Sequence, residues 1–128
     1  MADSRSQIPA KVMIIDDEQD IVRAFEQTLS LYPGTEVVVS TEAEEALKKA
    51  ADEKPGVILL DLRMPGMNGL EVLKRLKKIL PETRFMVMTG LDNDHIRQQV
   101  ETLGVAAYYV KPIDLEAVIN KILSLAKR

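Results

Sequence analysis

The sequence predicts an α/β fold, a doubly wound sheet of five parallel strands with five helices on its two faces. Three observations predict it. Short apolar runs alternate strictly with amphipathic stretches, five times along the chain. The central run, Val57-Ile58-Leu59-Leu60, is apolar at every position between Pro55-Gly56 and Pro65-Gly66, the pattern of a strand buried on both faces. Parallel neighbours need crossover connections, which are right-handed, and the alternation supplies a helix for each.

Val12, Met13, Ile14 and Ile15 form the first strand, and Ile21, Phe25 and Leu29 follow at helical spacing up to a stop at Tyr32-Pro33-Gly34. Residues 35–39 have the β-branched density of a second strand. Ser40 or Thr41 then caps a second helix with a narrow small-residue stripe, Ala43, Ala46, Leu47 and Ala50. After the central strand, Leu70, Leu73, Leu76 or Lys77, and Leu80 mark a third helix that Pro81 ends. Phe85 to Met88 make the fourth strand. Asp92 or Asp94 caps a fourth helix carrying Ile96, Val100 and Leu103, with Gly104 as its stop. Residues 105–110 form the fifth strand, and Leu115, Val118, Ile119, Ile122 and Ala126 share one face of the last helix. The fourth helix is the least apolar of the five, which marks its surface as one that moves or binds.

A chain of 128 residues, 46% apolar, holds one domain with a substantial core. The absence of cysteine excludes disulfides and thiolate metal sites, and the single histidine, His95, excludes a zinc cluster. Any metal must therefore bind through oxygen. His95 itself reads as a surface helix residue. A net charge of −3, of mixed sign, does not describe a nucleic-acid surface. Residues 1–10 are polar, expected to be a flexible N-terminal segment ahead of a domain over 11–128. Neither a secretory leader nor a membrane span is visible, so a cytoplasmic location is expected.

The strand exits carry the chemistry: Asp16 and Asp17 after the first, Asp61 after the third, Thr89 after the fourth and Lys111 after the fifth. Ligand sites in open α/β sheets gather at these carboxyl ends. Taken singly, each residue has an ordinary explanation. Asp61 can be a turn former, Asp16 and Asp17 can start a helix, Thr89 suits a strand end, and Lys111 suits a solvated surface. Taken together they do not. Two carboxylates about 4 Å apart repel by roughly 4 kcal/mol at an effective dielectric near 20, so three converging acids hold protons or a cation. Magnesium fits, being hard, oxygen-loving and retentive of its waters.

Four segments in order, Ile14-Ile15-Asp16-Asp17-Glu18, the stretch from Leu59 through Asp61-Leu62-Arg63-Met64-Pro65-Gly66-Met67-Asn68-Gly69, Met88-Thr89-Gly90 and Val110-Lys111-Pro112, resemble the receiver domain of bacterial two-component response regulators. The resemblance spans about residues 10–126. It implies a flavodoxin-like (βα)5 fold with strand order 2-1-3-4-5. It also implies that Asp61 is the phosphoacceptor, charged from a sensor histidine kinase or phosphotransfer protein. Asp17 and Asp61 would ligate Mg2+ directly with the backbone carbonyl of Arg63, and Asp16 mainly through water. In-line phosphoryl transfer asks chiefly for positioning and positive charge, which Mg2+ and Lys111 supply.

The resemblance further implies that Thr89 turns inward on the new phosphoryl group, that Gly90 and Lys111 contact it, and that Tyr108 follows Thr89. Tyr109 should face the other way along its strand. Lys111-Pro112 matches the family's cis peptide. The switching surface would comprise the fourth helix, fifth strand and fifth helix, with Arg97, Glu101 and Lys121 in contact with a downstream effector, an output domain or a second phosphorylated copy. Arg63 and Leu91 occupy positions that tune phosphoryl lifetime, and an apolar Leu91 should hinder the attacking water. The chain would be a signalling switch rather than a turnover enzyme. It ends directly after the fifth helix, as expected of a stand-alone receiver or of one cut from a longer regulator or hybrid kinase.

Three other readings fit less well. A receiver-like interaction module without phosphate has no use for the full set of acids, Thr89 and Lys111. A magnesium-dependent phosphatase of the haloacid dehalogenase type wants a second acid two residues beyond its nucleophile, where Arg63 stands. A flavin protein of the same fold order would need a phosphate-cradling loop where Asp16-Asp17-Glu18 repels phosphate.

Overall fold

A computed structural model describes residues 10–126 apart from 65 and 91, and of Met67 the backbone alone. The expected flexible segment, Pro65 and Leu91 therefore lie outside the described residues, except that Ala10 already begins the first strand. Five strands alternate with five helices: β1 (Ala10–Ile15), α1 (Gln19–Leu29), β2 (Thr35–Ser40), α2 (Ala43–Glu53), β3 (Val57–Asp61), α3 (Gly69–Ile79), β4 (Arg84–Thr89), α4 (Asp94–Thr102), β5 (Ala107–Val110) and α5 (Leu115–Ala126). All five strands are parallel, in the order β2-β1-β3-β4-β5. Among the described residues, no helix is long and apolar enough to cross a membrane.

Strand alternation divides the core into two layers. Met13, Ile15, Ile58, Leu60, Phe85 and Val87 meet Ala43, Ala46 and Ala50 of α2, Val72, Leu73 and Leu76 of α3, and Val100 of α4. Val12, Ile14, Val57, Leu59, Met86 and Met88 meet Val22, Phe25 and Leu29 of α1 and Val118, Ile119 and Ile122 of α5. The alanine stripe lets α2 approach closely, and α4 buries only Val100, in keeping with its polar sequence.

Local starts differ from the sequence reading. Neither Ser40 nor Thr41 caps α2. Glu42 holds the N-cap position, and the Ser40 hydroxyl, ending β2, donates instead to the Glu45 carboxylate at 2.8 Å. At α4 the cap is Asn93, whose side chain accepts the Ile96 N–H at 2.9 Å, and not Asp92 or Asp94. The strand expected from residue 105 begins at Ala107. Gly104, at φ 74°, ends the α4 turn as expected and leaves Val105 and Ala106 in the approach.

Between β3 and α3, Arg63 pairs with Asn68 and Met64 with Met67 in a two-rung antiparallel ladder. Asn68 then caps α3 by accepting the Leu70 N–H at 2.8 Å. Gly69 lies so close to the backbone of Leu62 that a Cβ there would overlap the Leu62 carbonyl oxygen. That contact fixes the loop on the buried end of β3. Gly69→Ala is expected to lower unfolding free energy by about 2 kcal/mol or more, as overpacking against backbone does. Urea denaturation measures it, and an unchanged midpoint would contradict the contact.

Candidate functional site

Strand register gathers the charged groups. Ile15 pairs with Leu60, so Asp16 and Asp61 follow as neighbours, while Thr89 pairs with Val110 next to Lys111. Residues 57, 59 and 61, like 107, 109 and 111, alternate onto the α1 and α5 side of the sheet. Asp61 and Lys111 therefore converge. Thr89 continues the alternation of Phe85 and Val87, on the same face as Tyr108, and Tyr109 packs on the opposite face as expected.

Lys111 is the hub. Its Nζ lies 2.9 Å from Asp16 Oδ2, 3.1 Å from Asp61 Oδ2 and 2.5 Å from Glu18 Oε1. Asp16 is fully buried and Asp61 nearly so, whereas the Glu18 side chain is over half exposed. Burial alone would push the Lys111 ammonium down, but its contacts with Glu18, Asp16 and Asp61 together reverse this and raise it above the ordinary lysine value. Lys111 stays charged throughout the neutral range.

Both buried acids also serve the backbone. Asp16 Oδ1 accepts the Glu18 N–H at 2.8 Å and Asp61 Oδ1 accepts the Arg63 N–H at 3.0 Å. The turn-forming explanation of Asp61 is thus correct as far as one oxygen goes. The other oxygen faces Lys111. Asp16 Oδ2 is a different case, since Nζ is close but the geometry makes no hydrogen bond, leaving this buried oxygen without one. Burial pushes the Asp16 carboxyl up to about 6, against the Glu18 N–H and Lys111, with the charge of Asp61 adding to the rise.

Carboxylate oxygens of Asp16, Glu18 and Asp61 lie within 4.8 Å of one another. Three acids around one ammonium leave an excess of negative charge, and the buried Asp16 Oδ2, ion-paired to Lys111 but without a hydrogen bond, keeps capacity for a further positive partner. An all-oxygen set of this kind fits a hard divalent cation. Asp17 is exposed and stands outside that trio, but it borders the same open cleft of about 500 Å3, with Arg63, Met64 and Gly90. Glu18 is the residue that sequence reasoning missed. Its signal was available, because it directly follows the acid pair and starts α1 from the same strand exit.

Thr89 is fully buried and borders a second cleft, between α3 and α4, into which exposed His95 also faces. Tyr108 is half-buried, its hydroxyl donating to Asp92 at 3.1 Å. The Lys111-Pro112 peptide is cis, as expected.

Known proteins are similar to this chain in sequence and fold. The family model for the response regulator receiver domain matches residues 12–123. Sporulation initiation phosphotransferase F of Bacillus subtilis is 30% identical over 84% of this chain and 86% of its own length. The alkaline phosphatase synthesis transcriptional regulatory protein PhoP of the same organism is 31% identical over 92% of this chain but 49% of its own, so the chain spans about half of that relative. A receiver domain protein (CheY-like) from Methanospirillum hungatei superposes with a TM-score of 0.86 at 27% identity, covering 92% of this chain and 94% of that one. A Burkholderia pseudomallei response regulator whose structure carries a phosphorylated aspartic acid and a calcium ion superposes at 0.79 and 27% identity, covering 91% and 68%.

The raised Asp16 carboxyl has a thermodynamic consequence. Between the ordinary value of 3.8 and about 6 the folded protein holds a proton that the unfolded chain releases, so stability rises as pH falls through this window. In chelator, unfolding free energy is expected to increase by about 1 kcal/mol between pH 7 and pH 5. Asp16→Asn should remove most of that slope. Denaturation across this range measures it, and an identical slope in the variant would contradict the assignment.

Proposed function

This chain belongs to the family of response regulator receiver domains, and from that premise we propose that Asp61 accepts a phosphoryl group in a Mg2+-dependent reaction. The donor is the phosphohistidine of a sensor histidine kinase or phosphotransfer protein. One observation carries the reading: Asp61 is a buried strand-end carboxylate with an oxygen 3.1 Å from Lys111 Nζ, on the floor of an open acidic cleft. A carboxylate oxygen bonds to phosphorus while the P–N bond breaks and its electrons return to the imidazole nitrogen. Lys111 exchanges a carboxylate contact for a phosphoryl oxygen, Gly90 offers space and an N–H, and the Thr89 hydroxyl donates to the new group.

Asp16, Asp17, Asp61 and the Arg63 carbonyl would hold Mg2+, which when bound offsets charge on the transferring group. Glu18 stands within the same circle of oxygens and competes for Lys111. The output is a surface change across α4, β5 and α5, with Tyr108 following Thr89, read by a downstream effector, an output domain or a second copy. Glu101 is exposed there, and Arg97 is already bound to Asp92. The protein works as a cytoplasmic switch with self-catalysed phosphotransfer and slow loss of the group, tuned at Arg63 and Leu91. A phosphorylation-independent interaction module has no observation in its favour, because a buried, charge-unbalanced cleft destabilises a scaffold that never uses it.

With Mg2+ and acetyl phosphate, wild type is expected to gain one phosphoryl group by intact mass, Lys111→Ala to gain it at least tenfold more slowly, and Asp61→Asn to gain none. Incorporation that persists in Asp61→Asn would overturn the assignment. Leu91→Glu is expected to shorten the phosphoryl half-life severalfold. An unchanged or longer half-life refutes the shielding role of Leu91.

A further inference from the structure

Asp92, Arg97 and Tyr108 join three elements at the edge of the sheet. One Arg97 nitrogen lies 2.8 and 2.9 Å from the two oxygens of Asp92. The Tyr108 hydroxyl donates to the same carboxylate at 3.1 Å, and the guanidinium carbon of Arg97 stands 4.6 Å from the centroid of the Tyr108 ring. Cation, carboxylate and phenol thus close a triangle in which each touches the other two. Asp92 belongs to the connection 90–93, which starts at Gly90 on the acidic cleft and ends at the α4 cap, Asn93. Tyr108 lies on the edge strand β5, on the sheet face that also carries Thr89.

We propose that this triangle is a latch that ties the β4–α4 connection to the edge strand in the resting arrangement, with Asp92 and Arg97 as positioning residues acting through Tyr108. The inference rests on Asp61 being the phosphoacceptor. The connection and Tyr108 are fastened to one carboxylate while Lys111 is engaged by its three acids. Moving Tyr108 inward takes its hydroxyl off Asp92 and its ring from beneath Arg97, so the latch opposes activation. Asp92 and Arg97 are 37% and 46% exposed, which keeps the opposition modest.

Beryllofluoride, a phosphoryl mimic, titrated in Mg2+ with the amide signals of Thr89 and Gly90 as readout, tests this. Asp92→Asn, Arg97→Ala and Tyr108→Phe are each expected to lower the half-saturating concentration about threefold. Asp92→Asn combined with Tyr108→Phe should also give about threefold rather than ninefold, because both open one latch. Asp20→Asn, which breaks the exposed pair with Arg23, should change nothing. Unchanged or weakened responses in the three variants, or additive effects in the double variant, overturn the latch while leaving the phosphoacceptor in place. Absence of response in wild type overturns both.

Discussion

The contact of Lys111 with Asp16, Asp61 and Glu18 is the constraint on which the rest of the structure depends. At separations up to 4.8 Å and an effective dielectric near 20, each pair of ionised acids repels by about 3 kcal/mol or more. One ammonium offsets part of that and no more. A buried arrangement of this kind costs stability unless its charges are paired, so it persists because the scaffold over-determines it. The residual negative charge is what suits the cleft to a cation, which on the proposed function would join Lys111 in providing the positive surroundings that phosphoryl oxygens need.

The scaffold supplies the over-determination through register. Pairing of Ile15 with Leu60 and of Thr89 with Val110 brings four strand exits to one edge. Alternation then sends Asp61 and Lys111 to one side of the sheet and Thr89 and Tyr108 to the other. On the proposed function, the acids would react on the first side and the readout would lie on the second. The crossing point is the β4 exit, where Thr89 and Gly90 sit between the acidic cleft and α4. Around that point packing is thin, since α4 buries only Val100 and polar contacts among Asp92, Arg97 and Tyr108 do much of the fastening. Elements held by few apolar contacts have the lowest local stability and are the ones free to shift.

The architecture was legible in the sequence because periodicity reports burial directly. Apolar Val57 to Leu60 needs two covered faces, and the alanines of α2 need a close neighbour. Caps were less legible: Asp92, Asn93 and Asp94 are all good acceptors, and the Asn93 backbone, not its residue type, decides which one caps. The ladder between Arg63–Met64 and Met67–Asn68 is too short to produce a period, and it falls where turn residues dominate. Asp16, Asp61 and Lys111 were found from their strand exits, and the structure brings them within ion-pair distance. Glu18 appeared only within the Asp16-Asp17-Glu18 run, and its reach to Lys111, 93 positions away, is defined by tertiary structure alone. The Asp92–Tyr108 bond joins residues 16 positions apart across a strand approach, a contact that only tertiary structure defines.

The excess of negative charge in the cleft suits it to one divalent cation. Titration calorimetry with Mg2+ on wild type, Asp16→Asn and Lys111→Met addresses it most directly. A single site is expected in wild type, with weaker binding in Asp16→Asn where an acid is neutralised and tighter binding in Lys111→Met where the competing ammonium is gone. A wild type that binds no Mg2+ at millimolar concentration, or a Lys111→Met variant that binds it more weakly, would mean that the charge of the cleft does not recruit the cation.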